Sequence, residues 1–563
     1  MKSLLSGRYR TVKTFLAGVV TMGVIGLFIQ GKTTDSYFEV SKNMDIFATL
    51  FKELNTYYVD PIEPGKMMKT GIDAMLDELD PYTNYITEAD IEDYEFQTTG
   101  KYGGVGATMR RKEDDIYVGD VYEGSPAQKA GLHPGDQVIA IDNQLLKGKT
   151  IDDISLLLKG SPGTQVNVRI KDAYNGQESL KTITRGEIEL SSVPYAGFVG
   201  EQKNIGFVRL TQFTPGCGRM VRDALDSLKK IKPDMKAVVL DLRNNPGGLL
   251  DEAVNVCNIF TDRGQLVVST KGKMQDWDKD FKTTGAPWDT KIPLAVLVNH
   301  SSASASEIVA GTMQDLDRGI IIGERSYGKG LVQTTRPLGY NARLKLTTAK
   351  YYTPSGRCIQ ALDYTHRNPD GSVGNVPDSL KKAYKTAGGR KVLSGGGVEP
   401  DVKVTDEPIS RLSVALYTKN YLFDYATMYA RDHKTITGAG SFGLTPTEFN
   451  DFVKWLEGKD YAYKTQTEEV FDSLKANAVR EKYYDAAKPE FTALQAKISH
   501  DKKQDLLKHQ AEVTRLLESE IVSRYYYQKG RIEQSLKSDN DLAKALNLLG
   551  QPTQYEALLQ PGK

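Results

Sequence analysis

P-L-A-V-L-V-N-H-S-S-A-S-A-S-E-I-V-A-G, residues 293 to 311, decides how this chain is read. The uninterrupted apolar run Leu294 to Val298 predicts a strand buried on both faces, the pattern of a parallel sheet covered by helices. A turn of small residues follows, and a helix is predicted after it. A hydroxyl in that turn sits at a helix N-terminus beside N–H groups that have no intrahelical partner, a setting that suits an oxyanion. Ser304 and Glu307 also fit the S-x-x-E capping box, so the segment taken alone reads first as a plain helix start.

Working outward, the same alternation recurs. I-G-F-V-R-L from Ile205, a helix around Met220 to Ile231, a strand Ala237 to Arg243, a helix Asp251 to Phe260, and a strand Gly319 to Gly323 bracket the quoted segment. Buried strands alternating with amphipathic helices predict a mainly parallel sheet or stacked ββα units. Two loops in this region carry further chemistry. D-L-R-N-N-P-G-G-L-L, Asp241 to Leu250, places a glycine pair after a strand, and G-E-R-S-Y-G-K-G-L-V-Q, Gly323 to Gln333, offers Lys329 between two glycines. The second also matches the phosphate-loop pattern G-x-x-x-x-G-K. Position 330 is Gly where magnesium binding needs Ser or Thr, and L-V-Q-T-T reads as strand, so nucleotide binding is not expected.

Upstream, K-Y-G-G-V-G-A-T-M (Lys101 to Met109) and G-S-P-A-Q-K-A-G-L-H-P-G-D-Q-V-I-A-I-D (Gly124 to Asp142) precede a helical run and T-Q-V-N-V-R-I. This block resembles a PDZ domain of the bacterial protease type. Ser125 is placed to cap a helix with Pro126 at its first position and Gly131 at its end. The segment Gly103, Gly104, Val105 and Gly106 is expected to be a loop that turns backbone N–H groups toward a peptide carboxylate, with the peptide added as a strand.

With these segments together, the chain from about Leu79 to Val402 resembles the carboxyl-terminal processing peptidases, also called tail-specific proteases. L-D-P-Y-T-N-Y-I (Leu79 to Ile86), K-Y-Y-T-P-S-G-R-C-I-Q (Lys350 to Gln360) and G-G-V-E-P-D-V (Gly396 to Val402) add to the match. The resemblance implies an α/β core of the ββα, crotonase- or Clp-like type with an inserted PDZ domain. It implies Ser304 as nucleophile, Lys329 as general base 25 positions later, and Gln333 as a residue orienting that base. It also implies an oxyanion hole from the N–H of Ala305 and of one of the pair Gly247 and Gly248. The chemistry is coherent in its own terms, since a serine hydroxyl needs an adjacent base and a lysine serves when its amine is neutral. His300 is the rival base, four residues before Ser304 on the incoming strand, with no evident route to the hydroxyl.

The domain limits read from the sequence are 1–31 for a signal peptide or anchor, 32–97 for a helical segment, 98–190 for the PDZ domain, 191–408 for the peptidase core and 409–563 for a charged, tyrosine-rich helical domain. Lys2, Arg8, Arg10 and Lys13 before the apolar run Phe15 to Ile29 predict export to the periplasm, with cleavage and retention as a membrane anchor both open. The 73 basic and 72 acidic residues nearly cancel, so no nucleic-acid partner is expected. Three scattered cysteines and six histidines without H-E-x-x-H predict neither metal nor cofactor. The expected partners are protein or peptide substrates with apolar C-termini, with an oligomer or adaptor left open. The alternative reading is a non-catalytic PDZ scaffold.

Overall fold

The computed structural model describes residues 37–405, 408–498 and 502–560, so the apolar run Phe15 to Ile29 lies outside the described residues. Among the described residues no helix is long and apolar enough to cross a membrane. The chain divides into two units, Met1–Tyr85 and Ile86–Lys563. In the first, helices span 37–57 and Pro64–Asp77, as the apolar spacing from Phe38 predicts. Asp80 then closes a turn by accepting the N–H groups of Tyr82 (2.8 Å) and Thr83 (2.9 Å), which is why L-D-P-Y-T leaves the helix.

The second unit is built on a six-stranded sheet in the order Tyr195–Val199, Ile205–Arg209, Ala237–Asp241, Leu294–Val298, Ile320–Gly323, Val402–Lys403. Its first pair is antiparallel and the rest are parallel. The central strands A-V-V-L-D, L-A-V-L-V and I-I-I-G are buried throughout, as strands with both faces covered must be. One face packs on the helices Cys217–Ile231, Leu250–Phe260 and Ala305–Asp315 through Val221, Leu225, Val256, Ile308 and Met313. The other, lined by Phe207, Val239, Ala295, Leu297, Ile320 and Ile322, is covered by Leu542, Ala545 and Leu548 of the helix Asn540–Leu549 and by Tyr555 of the helix Pro552–Leu558. The end of the chain thus supplies a layer of the peptidase core. A second, antiparallel sheet contains Leu266–Gly272, Lys279–Lys282, Leu331–Pro337 and Arg343–Tyr352.

The PDZ fold is a sheet in the order Ala107–Lys112, Asp115–Val121, Gln137–Ile141, Gln165–Lys171, Glu178–Thr184, with the helix Ile151–Leu158 closing its core. The alternation in T-Q-V-N-V-R-I buries Val166, Val168 and Ile170 and exposes the residues between them. Ser125 accepts the Gln128 N–H as the expected cap, with Pro126 in the first turn. The glycine segment departs from expectation. Lys101–Gly104 is a strand paired with Gly186–Glu189, so Gly103 and Gly104 belong to a ladder and only Val105 and Gly106 remain as a turn. Backbone pairing with a partner more than eighty residues away overrides the local glycine signal.

The helical region after residue 409 has its own core of Leu412, Leu416, Leu422, Phe449, Phe452, Leu517 and Ile521. The Thr445 and Glu448 capping box forms as read. This region clasps the PDZ fold through Lys112 to Asp424 (2.5 Å), Arg531 to Asp120 (3.0 Å), Arg110 stacked on Phe423 (4.4 Å) and Gln128 bonded to the Tyr527 hydroxyl. Tyr527 sits at φ 54°, ψ −153° inside the long helix Gln510–Ser535, a conformation that kinks the helix where it meets the PDZ fold.

Candidate active site

The strand Leu294–Val298 delivers the chain into a turn that hydrogen bonds pin on every side. The Ser302 hydroxyl donates to the Leu242 carbonyl (2.9 Å), the Ala303 N–H to the Asn245 carbonyl (3.0 Å), and the Ser306 hydroxyl to the same Asn245 carbonyl (2.9 Å). Between them Ser304 adopts φ 55°, ψ −112°. That region costs a non-glycine residue about 1 to 3 kcal/mol and persists only where the surroundings impose it. The helix begins at Ala305. The Glu307 N–H goes to the Ser304 carbonyl at 2.9 Å, so the main chain of Ser304 serves the helix start.

Glu307 is fully buried and joins two loops. Its Oε2 accepts the N–H of Ser304 (2.8 Å) and of Lys329 (2.9 Å), and its Oε1 accepts the Gly328 N–H (2.6 Å) and the Ser326 hydroxyl (2.5 Å). Ser304 and Lys329, 25 positions apart in the chain, are therefore held by one carboxylate oxygen. The lysine loop is fixed further by the Gly330 N–H to Gln360 Oε1 (2.7 Å). Tyr351, fully buried, donates to the Ser304 carbonyl (3.2 Å). Gln333 lies on the strand Leu331–Pro337 and donates to Thr347 Oγ1 (3.1 Å). That strand follows the lysine, as read, where a phosphate loop would need a helix.

Burial pushes the Glu307 carboxyl up to about 7, against the four hydrogen bonds that favour its ionised form. The unfolded chain releases this proton near 4.5, so the folded protein binds more protons between there and about 7 and loses stability as pH rises through that window. The loss expected from this one group is roughly 3 kcal/mol. Urea unfolding from pH 4.5 to 8 measures it, and Glu307→Gln should flatten that part of the curve. Equal slopes in both proteins would contradict the assignment.

The glycine pair reaches the nucleophile turn directly. Gly247 has φ 101°, and a Cβ there would lie 2.8 Å from Ser304 Cβ and 2.9 Å from Ala305 N, so only glycine permits the approach. Its N–H is taken by Asn245 Oδ1 (2.9 Å) and its carbonyl by the Phe213 N–H (2.9 Å). Among the described residues, neither the Gly248 N–H nor the Ala305 N–H donates to a protein acceptor. Of the two glycines, Gly248 is thus the one left with a donor. His300, 77% exposed, pairs instead with Glu324 at 2.9 Å. Away from this centre, His133, Asp136 and Asp172 approach one another. Both Asp136 oxygens accept backbone N–H groups, from His133 (2.8 Å) and Ala173 (2.9 Å), which ties together loops of the PDZ fold.

Sequence reasoning missed the joining role of Glu307, which it saw only as a cap, and it missed Asn245 and Tyr351. The spacing of Glu307 from Ser304 was the one signal available.

Comparison with known proteins agrees with this architecture. Residues 204–373 match the model of peptidase family S41, 117–172 that of a PDZ domain, and 412–549 that of the C-terminal helical domain of probable PDZ-proteases. A carboxy-terminal-processing protease of Bartonella bacilliformis is 36% identical over 388 residues, covering 69% of this chain and 88% of its own. A probable CtpA-like serine protease of Staphylococcus aureus strain COL is 34% identical over 418 residues, 74% of this chain and 81% of its own. The solved photosystem II D1 C-terminal processing protease is 28% identical and covers 64% of this chain and 92% of its own, with a TM-score of 0.34. Family and relatives converge on one chemistry, and the chain belongs to peptidase family S41, as a carboxy-terminal-processing serine protease with a PDZ domain.

Proposed function

We propose that this protease is an exported endopeptidase that cleaves near apolar C-termini with a Ser304 and Lys329 dyad through an acyl-enzyme. The observation that carries the dyad is the shared Glu307 oxygen, which holds the backbone N–H groups of both residues. In the proposed reaction the neutral Lys329 amine takes the Ser304 proton as Oγ attacks the scissile carbonyl. The Ala305 and Gly248 N–H groups receive the oxyanion, the ammonium returns its proton to the leaving amine, and water then hydrolyses the ester by the same route. Gln333 orients the lysine. A cleft of about 540 Å³ opens beside the segment that follows the glycine pair; Leu249, Leu250, Trp277, Phe281, Val332 and Ala349 form its apolar part and Asp251, Glu252 and Lys279 a charged one, a lining that suits a peptide with apolar side chains. A fluorophosphonate probe tests the nucleophile, since it should label the wild type and spare Ser304→Ala.

Tail selection is assigned to the PDZ turn. Among the described residues the Val105 and Gly106 N–H groups donate to no protein acceptor, and they suit a terminal carboxylate at the end of an added strand. Amidating the C-terminus of a good peptide substrate should weaken its binding at least tenfold, since a charge-assisted hydrogen bond contributes roughly 1.5 to 3 kcal/mol. Unchanged binding by calorimetry would remove the carboxylate from the reading. Export rests on the charged and apolar N-terminal sequence, and cell fractionation that leaves the protein in the cytosol with Met1 intact would overturn it.

A further inference from the structure

The loop that carries the glycine pair is held by a part of the chain almost three hundred positions away. Arg243, six positions after the start of the strand Ala237–Asp241, shares its guanidinium among three carboxylates. Nε and Nη2 donate to the two oxygens of Asp241 (both 2.9 Å), Nη1 and Nη2 to the two oxygens of Asp539 (2.8 and 2.6 Å), and Nη1 also to Asp541 (2.9 Å). All of these groups are largely buried, at 0% to 13% exposure. Burial works against an ionised Asp241, but Arg243 and Arg209 outweigh it and hold that carboxyl below its usual value. Asp539 also starts the helix Asn540–Leu549 by accepting the Leu542 N–H (2.9 Å), so a helix packed on the sheet presents its acidic end to the guanidinium.

The residues on either side of Arg243 are bonded to the nucleophile turn. The Leu242 carbonyl accepts the Ser302 hydroxyl, and the Asn244 N–H donates to Asn299 Oδ1 (2.9 Å). Asn245 then holds Ala303, Ser306 and Gly247. A displaced Arg243 therefore moves the segment that leads to Gly248 and the turn that carries Ser304. Asp541 also lies close to Gly323, the last residue of the strand before the lysine loop, with its Oδ1 3.5 Å from where a Cβ on that glycine would be.

We propose that Asp539 and Asp541 are positioning residues for peptide hydrolysis: by gripping Arg243 they fix the Leu242 to Gly248 segment against the nucleophile turn, which makes the end of the helical tail part of the catalytic unit. Neither side chain touches substrate. The inference rests on the assignment of Ser304 and the Gly248 N–H to the reaction, and its test keeps the two separable.

The test is the double substitution Asp539→Asn with Asp541→Asn in the full-length protein. Asparagine remains a good helix N-cap, and Arg243 keeps Asp241, so the tail stays docked while the grip loses its charge. The expected result is a fall in kcat of about tenfold or more with KM within twofold of wild type, the signature of misplaced reacting groups rather than weakened binding. Fluorophosphonate labelling of Ser304 should slow in parallel. Tyr555→Phe is the control. It removes the bonds between the Tyr555 hydroxyl and Leu294 (2.9 and 3.1 Å), which dock the same tail at the far end of the strand, and it should lower the melting temperature and leave kcat unchanged. A double variant with wild-type kcat, with a raised KM alone, or with a loss of kcat matched by Tyr555→Phe overturns the proposal. Turnover retained by Ser304→Ala would instead overturn the nucleophile assignment.

Discussion

Ser304→Ala is expected to remove peptide turnover altogether, by at least about four orders of magnitude in kcat, and to leave the fold intact. The substitution deletes one oxygen and keeps the Cβ. The bonds that set the turn come from the Ser304 N–H and carbonyl, to Glu307 and from Tyr351 and Glu307, and all of them survive. The strained φ of 55° is imposed by neighbours that the substitution does not touch, so the melting temperature should move little. The measurement is hydrolysis of a fluorogenic peptide alongside binding of an uncleaved peptide. Loss of both together would mean that the turn had collapsed, and residual turnover near wild type would place the nucleophile elsewhere.

Lys329→Arg is the second large effect. The backbone N–H that ties position 329 to Glu307 is unchanged by the substitution, and so is the positive charge. A guanidinium stays protonated at any working pH and cannot take the serine proton. The expected loss is about two to four orders of magnitude in kcat, the usual worth of a general base, with peptide binding retained. His300→Ala, which breaks only the exposed pair with Glu324, should keep normal kcat. The opposite pattern, an active Lys329→Arg with an inactive His300→Ala, would require a histidine mechanism.

The parallel sheet was legible because strands buried on both faces are written as unbroken apolar runs, and L-A-V-L-V and the A-V-V-L before Asp241 are such runs. The small residues around Ser304 and the glycines around Lys329 were legible for a related reason, since close backbone approach excludes side chains and leaves a compositional trace. Glu307 forms the cap that its spacing predicts, but its second role was hidden because capping a helix and joining two loops call for the same residue at the same place. Its partners at 326, 328 and 329 are set by the fold rather than by local spacing. Gly103 and Gly104 looked like loop because the strand that pairs with them begins at Gly186. The grip on Arg243 was not legible at all, because Asp539 lies 296 positions away and two acids at a helix start are usually only a cap.

The sheet face covered by the helices Asn540–Leu549 and Pro552–Leu558 also fixes when during synthesis this enzyme is finished. Ile320 and Ile322, in the last central strand on that face, precede Leu542 and Ala545 by more than two hundred residues. Until then the apolar face is open and the acidic grip on Arg243 does not exist. A chain that emerges in order from its N-terminus therefore carries the serine and the lysine long before it carries the helices that close the sheet behind them.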